Sequence, residues 1–167
     1  MTGDLAALRG PFAGTEAHLD APYVQTPPAI VEAMLDLAEI RPGESLLDLG
    51  CGDGRIVVAA ARRGARALGV DIDSRRIADA RAAALAARLG ERARFRREDL
   101  FTTSLAEADV VTLFLLPHVN AWLRPRLVAE VRPGARIVSH AFPMGPWDPS
   151  AMRRVGNAVL YLWVAGR

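Results

Sequence analysis

Asp48-Leu49-Gly50-Cys51-Gly52-Asp53-Gly54 places an acid ahead of three glycines at every second position. The apolar pair Leu46-Leu47 precedes it, and a helical pattern opening with Arg55-Ile56-Val57-Val58 follows. Such an order describes a buried strand that turns sharply into a helix. Glycine allows the turn where a side chain would clash, and lets a ligand approach the main chain. N–H groups at a helix start lack intrahelical partners and favour a carboxylate or phosphate. Further on, Ala67-Leu68-Gly69-Val70-Asp71-Ile72-Asp73 reads as a second strand ending in an acid. An acid so placed can accept from both hydroxyls of a ribose. The two segments together imply an adenosine-type cofactor held at the carboxyl ends of parallel strands. A glycine turn without a ligand does not explain why Asp71 follows at that place.

Dinucleotide-binding folds use G-x-G-x-x-G, which here would need glycine at position 55. Arg55 stands there, and Gly54 comes one residue early. Asp48, two residues before Gly50, suits the amino group of a methionine moiety and would repel a pyrophosphate. The segment 48–54 therefore resembles motif I of the class I S-adenosyl-L-methionine-dependent methyltransferases. Cys51 inside the loop reads as a small residue that fits a tight turn rather than as a nucleophile.

The elements that must position these residues alternate along the chain. Residues 1–22 read as an arm, and residues 23–167 as a single domain. Thr26 is expected to cap a first helix with Pro27 and Pro28 in its first turn. Ile30, Val31, Met34, Leu35, Leu37 and Ala38 give that helix an apolar face. Strands are expected at 45–49, 67–71, 93–97, 108–116 and 136–141. Helices are expected at 54–63, at 74–89 with Ser74 as cap, and from Pro117 to about residue 131. A proline-rich loop at 143–150 leads into two strands joined at Gly156-Asn157, a hairpin signal. Strand–helix alternation implies an α/β fold with a mostly parallel sheet and helices on both faces. The resemblance implies the Rossmann-like seven-stranded methyltransferase order, 3-2-1-4-5-7-6, with a C-terminal antiparallel hairpin.

A closer resemblance rests on Pro22-Tyr23-Val24-Gln25-Thr26-Pro27, Leu115-Leu116-Pro117-His118-Val119-Asn120 and Leu123-Arg124-Pro125-Arg126-Leu127. It also rests on Val138-Ser139-His140-Ala141-Phe142-Pro143-Met144-Gly145-Pro146-Trp147. With motif I, this layout is similar to bacterial relatives of the small mitochondrial protein-lysine methyltransferases, over roughly residues 22–149. Those enzymes modify an ATP synthase subunit and the adenine nucleotide carrier. The membrane-targeting segment they carry is not expected here.

The resemblance implies a role for each matching residue. Gly50, Cys51, Gly52, Asp53 and Gly54 would hold the methionine end of the cofactor, with Asp48 near its amino group. Asp71 would take the ribose, and Ile72 would cover adenine. Asp99, with Leu100 beside it, would accept from the adenine amino group, or serve only as a turn cap. Tyr23 and Thr26 would close over the cofactor, and Leu115 would line its site. Tyr23, His118 and His140 are the candidate catalytic residues; each histidine reads equally as a hydrogen-bonded structural residue. Methyl transfer to an amine is an in-line displacement that brings the lone pair to about 3 Å from the carbon. A sulfonium about 4 Å from an ammonium, at an effective dielectric near 20, opposes it by about 4 kcal/mol. That is roughly 3 pKa units, so a lysine needs no strong base.

Composition excludes other classes. The 167 residues suffice for one domain with a core. Half of them are apolar and a quarter charged, as in globular proteins. No apolar run reaches membrane-spanning length, and the one cysteine excludes an internal disulfide. A cytoplasmic location is the expectation. All 21 basic residues are arginine, mixed with 19 acids and without an aromatic-interleaved stripe, which argues against nucleic-acid binding. No cysteine cluster or His-Glu-x-x-His suggests a metal. The sequence thus reads as a methyltransferase whose acceptor is a protein lysine. The alternatives are a small-molecule O- or N-methyltransferase and a non-catalytic cofactor-binding subunit of a larger enzyme. Oligomeric state is not legible.

Overall fold

A computed structural model describes residues 24–166; the expected arm at 1–22 and Tyr23 lie outside the described residues. The chain runs through α1 (Pro28–Leu37), β1 (Ser45–Leu49), α2 (Arg55–Arg62), β2 (Arg66–Asp71) and α3 (Ser74–Ala86). It continues through β3 (Ala93–Arg97), β4 (Val110–Leu113), α4 (Pro117–Glu130), β5 (Arg136–His140), β6 (Ala151–Val155) and β7 (Ala158–Val164). All seven strands form one sheet in the order β3-β2-β1-β4-β5-β7-β6. The first five pair in parallel, and β7 lies antiparallel between β5 and β6. Fold class and strand order are those expected.

Each strand feeds two cores because successive side chains point to opposite faces. Leu46, Ala67, Ala93, Phe95 and Val138 pack with α1, α2 and α3. Leu47, Leu49, Val70, Val111, Leu113 and Ile137 pack with Val119, Leu123 and Leu127 of α4. The central β4 is buried along its length, as the apolar run requires. Among the described residues no helix is long and apolar enough to cross a membrane.

Several boundaries differ from expectation for identifiable reasons. β4 is shorter than 108–116: its partner β1 ends at Leu49, so the residues after Leu113 have no strand on that side. β5 stops at His140, where Ala141 takes a left-handed φ of 69°. The N-cap of α1 is Pro27, not Thr26; its carbonyl accepts from Ile30 and Val31 N–H, and Pro28 occupies the first turn. The N-cap of α3 is Asp73, not Ser74, since the Asp73 carboxylate accepts from Arg75 N–H at 2.9 Å. α3 ends at Ala86, and Arg88 takes a φ of 54° before a 3₁₀ turn at Gly90–Arg92. Segment 143–150 is a loop, with one bridge between Met144 and Trp147.

Candidate active site

The carboxyl ends of β1, β2, β3 and β4 border a cleft of about 860 Å³, open to solvent. It collects Thr26, Asp48, Gly50, Cys51, Gly52, Asp53, Asp71, Ile72, Asp99, Leu100 and Leu115, all expected from the sequence. Val24, Gln25, Arg55, Ile56, Arg76, Glu98 and Phe114 line it as well.

The glycine loop folds onto the end of β2. Gly50 and Cys51 N–H both donate to the Val70 carbonyl at 2.9 Å, and Gly54 N–H donates to the Cys51 carbonyl. Gly52 N–H donates to Asp71 Oδ2 at 2.9 Å. These amides, expected to be open for a ligand, are thus engaged within the protein, and the loop meets the cleft with bare Cα atoms. At Gly50, φ is +78° and a Cβ would stand 3.1 Å from Leu115 Cδ2. Gly54 does not line the cleft. Its φ is +82°, and a Cβ there would lie 2.7 Å from the Phe95 ring and 2.8 Å from Ala80. This glycine exists to let α2 start against β3 and α3.

Carboxylates converge around the loop. Asp48 is buried and accepts from the Thr112 hydroxyl at 2.8 Å. Burial pushes its pKa up to about 7; the Thr112 bond opposes this, while the charges of Asp71 and Asp53 add to it. Asp71 accepts from Gly52 N–H with one oxygen and from Asp73 N–H with the other, tying the loop to the start of α3. Asp53 is held by Arg55, which also donates to the Thr26 carbonyl at 2.9 Å, while Gln25 donates to Asp53 Oδ2. Arg55 thus fastens the segment before α1 over the loop. Asp99 accepts from Phe101 N–H at 2.8 Å, so it caps a turn and lines the cleft at once. Burial pushes the Cys51 thiol upward, which leaves it inert.

The side after β4 and β5 is built from packed side chains. Neither histidine lines the cleft. His118 is exposed on the first turn of α4, edge-on to Trp122 with centroids 5.0 Å apart. His140 is buried behind Phe114, ring centroids 4.0 Å apart, with Nδ1 unpartnered among the described residues. Burial lowers its pKa, so the ring is neutral near pH 7. After it, Phe142 N–H donates to the His140 carbonyl across the left-handed Ala141. The fully buried Asn120 ties α4 to this turn through the Phe142 and Pro143 carbonyls, and Ser139 donates to Phe142 O at 2.6 Å. Trp147 packs on Trp163 and accepts its indole N–H.

Three positioning residues escaped sequence reasoning. Thr112 looked like one more residue of a buried strand. Arg55 signalled only the absence of a glycine. The buried Arg126 donates to the carbonyls of Leu100, Phe101 and Thr103, fixing the turn that carries Asp99. Only the tertiary fold brings 100–103 beside α4.

This donor set fits S-adenosylmethionine. A buried carboxylate at neutral strength, with a hydroxyl as its hydrogen-bond partner, suits an ammonium. The surrounding acids suit a cationic ligand, and the bare loop leaves room for its chain. Residues 48–151 match the sequence model of the ANTKMT methyltransferase domain. A protein-lysine N-methyltransferase of Saccharolobus islandicus is 40% identical over 151 residues, covering 87% of this chain and 94% of that protein. The adenine nucleotide translocase lysine N-methyltransferase of Mus musculus is 38% identical, covering 93% of this chain and 67% of that protein. A solved RNA methyltransferase from Salinibacter ruber, in complex with S-adenosyl-L-homocysteine, superposes with a TM-score of 0.84. It is 43% identical and covers 86% of this chain and 95% of its own. By sequence match, fold and cleft together, the chain is an S-adenosylmethionine-dependent methyltransferase that belongs to the ANTKMT methyltransferase domain family.

Proposed function

We propose that this enzyme methylates the ε-amine of a protein lysine. The identity with the Saccharolobus islandicus protein-lysine N-methyltransferase, running through 94% of that protein, carries the reading. The cleft agrees in kind: it is acidic where a cationic cofactor would lie, and apolar at Phe114 and Leu115, where an amine on an alkyl stem must pass.

Bound S-adenosylmethionine supplies an electrophilic methyl group on a positively charged sulfur. Asp48, as a carboxylate steadied by Thr112, accepts from the ammonium of its methionine moiety. Gly50, Cys51 and Gly52 leave room for that chain, and Asp53 with Arg55 holds the loop closed beneath Thr26. Each oxygen of Asp71 keeps a second lone pair beyond its backbone bond, and these take the ribose hydroxyls. Ile72 and Leu100 flank the adenine, and Asp99 accepts from its amino group. Leu115 and Phe114 line the path of the amine's alkyl stem, with His140 supporting Phe114 from behind. Water takes the lysine proton, so neither His118 nor His140 acts as a base. The cytoplasm is the compartment this reading assigns.

The Salinibacter ruber structure, named an RNA methyltransferase, favours a second reading in which the acceptor is RNA. A small-molecule acceptor remains the third. Incubating the protein with radiolabelled S-adenosylmethionine and lysate of its own organism separates them. Label in one protein band, traced to lysine by mass spectrometry, is the expected result. Label confined to RNA or to small molecules overturns the lysine reading.

A further inference from the structure

The connection from β3 to β4, residues 98–109, forms no helix, so the α4 face of the sheet lies open over the amino ends of β2 and β3, while Val70 farther along is fully buried. Register places Arg66, Leu68 and Val70 of β2 on that face, with Leu68 opposite Arg94 and Val70 opposite Arg96. Arg94 and Arg96 share it by their spacing of two, and Arg92 joins them from the 3₁₀ turn just before β3. The result is a solvent-open groove of about 1640 Å³ at the amino ends of β1, β2 and β3, remote from the cofactor cleft. Leu47, Leu68 and Ala108 give it an apolar floor, and five arginines stand against two glutamates in its lining. Arg94 pairs with Glu91, and Arg132 pairs with Asp109. Arg66, Arg92 and Arg96 are exposed and have no ion-pair partner among the described residues.

Guanidinium groups pair with carboxylates in a bidentate fork, and an apolar floor between them asks for apolar side chains. Single-stranded nucleic acid would ask for aromatic platforms, and the lining has none. We infer that the groove docks an acidic segment, interspersed with apolar residues, of the protein that carries the acceptor lysine. The inference rests on the lysine reading for the identity of that protein. β1 spans the five residues Ser45–Leu49 between groove and cleft, about 16 Å of strand. An extended polypeptide crosses that distance in about five residues, so one substrate can occupy both sites and gain effective concentration at the cleft.

The probe is a fluorescein-labelled peptide of four Glu-Leu repeats, followed by anisotropy with the full chain. A Lys-Leu peptide and an eight-nucleotide uridine strand serve as comparisons. The acidic peptide is expected to bind in preference to both. The triple variant Arg66→Ser, Arg92→Ser, Arg96→Ser is expected to weaken it about tenfold, three exposed pairs at about 0.5 kcal/mol each. Affinity for S-adenosylmethionine, read by calorimetry, should not change, since none of the three lines the cleft. No binding, equal affinity in the triple variant, or tighter binding of the uridine strand overturns the proposal. A second peptide joins a lysine to the Glu-Leu repeats through eight Gly/Ser residues. The triple variant should raise its KM and leave kcat alone; an unchanged KM overturns the docking role. Absence of any lysine methylation while the anisotropy result holds overturns the lysine reading alone.

Discussion

The two walls of the cleft are built on opposite plans. The wall at the ends of β1, β2 and β3 is main chain and carboxylate: the Val70 carbonyl and the Asp71 carboxylate accept the loop amides at 2.9 Å, and Asp71 is held in turn by Asp73 N–H. The wall after β4 is Phe114 and Leu115, backed by packed side chains outside the cleft: Phe114 rests on His140, His118 on Trp122, and Asn120 holds the turn after β5 with its left-handed alanine. The glycines of this wall tolerate almost no added atom, because a Cβ at Gly50 or Gly54 meets a neighbour at 3.1 or 2.7 Å. A wall of packed rings accepts replacement by shapes of similar volume. The first plan suits a constant cofactor, and the second suits an acceptor that varies among relatives.

The sharpest way to break the contrast is to add one methyl group to the rigid wall. Gly54→Ala must fit a Cβ 2.7 Å from Phe95 and 2.8 Å from Ala80 at a φ of +82°. Overpacking costs about 1–3 kcal/mol, and the left-handed backbone adds about 1 kcal/mol. The expected loss is about 3 kcal/mol, read as a lower urea midpoint with S-adenosylmethionine binding lost alongside. A midpoint equal to wild type would show that the loop yields.

Asp71→Ala comes next. It removes the acceptor of two backbone N–H groups and, in the proposed complex, of two ribose hydroxyls. Charge-assisted bonds are worth about 1.5–3 kcal/mol each, so S-adenosylmethionine affinity by calorimetry should fall at least about 100-fold. Unchanged affinity would refute the ribose assignment.

Asp48 tests the same wall by pH. Its folded pKa of about 7 lies above the ordinary 3.8, because burial favours the neutral acid. The stability this acid contributes is therefore fully present below pH 3.8 and lost as pH rises through about 7. The cofactor-free protein should lose that increment between about pH 4 and 7. Binding runs the other way, since the ammonium needs the carboxylate. S-adenosylmethionine affinity should weaken about tenfold per unit below pH 7. Asp48→Asn should bind weakly with this slope absent; a slope that persists would assign the titration elsewhere.

What the sequence disclosed follows the same division. Gly50 to Gly54, Asp71 and the alternation of strands act through local backbone geometry, and local geometry is written in neighbouring residues. Their places in the fold and cleft were legible, apart from Gly54, whose steric role depends on Phe95 and Ala80 from elsewhere in the chain. Hydrogen-bond destinations were less so: the loop amides read as open, although the carbonyl and carboxylate that take them stand at the end of β2. Caps failed at Thr26 and Ser74 because α1 begins one residue later, behind Pro27, and because the carboxylate of Asp73 takes the capping bond one residue before Ser74. Across the cleft, His118 and His140 carried a chemical signal but no positional one. Whether a histidine after a strand faces a cleft or a neighbouring ring depends on Phe114 and Trp122, which only the packed structure brings to it. Arg126 shows the converse, a bland arginine made important by three carbonyls more than twenty residues away.

The acceptor wall should yield the smallest effects. His140→Phe keeps a flat ring of similar volume behind Phe114 and deletes both nitrogens. If His140 only supports that ring, kcat on the labelled protein substrate should stay within about threefold, and its pH profile should not shift. His140→Ala opens a cavity there and should raise KM more than it lowers kcat, as Phe114 loses its support. A fall of about 100-fold in kcat for His140→Phe would instead mark a proton-transfer role. His118 is exposed and touches Trp122, so His118→Ala should change kcat by less than about twofold, within the ordinary range for surface substitutions. The two histidines thus separate support from chemistry. Support responds to volume and is restored by phenylalanine, whereas chemistry responds to the loss of a nitrogen and is not.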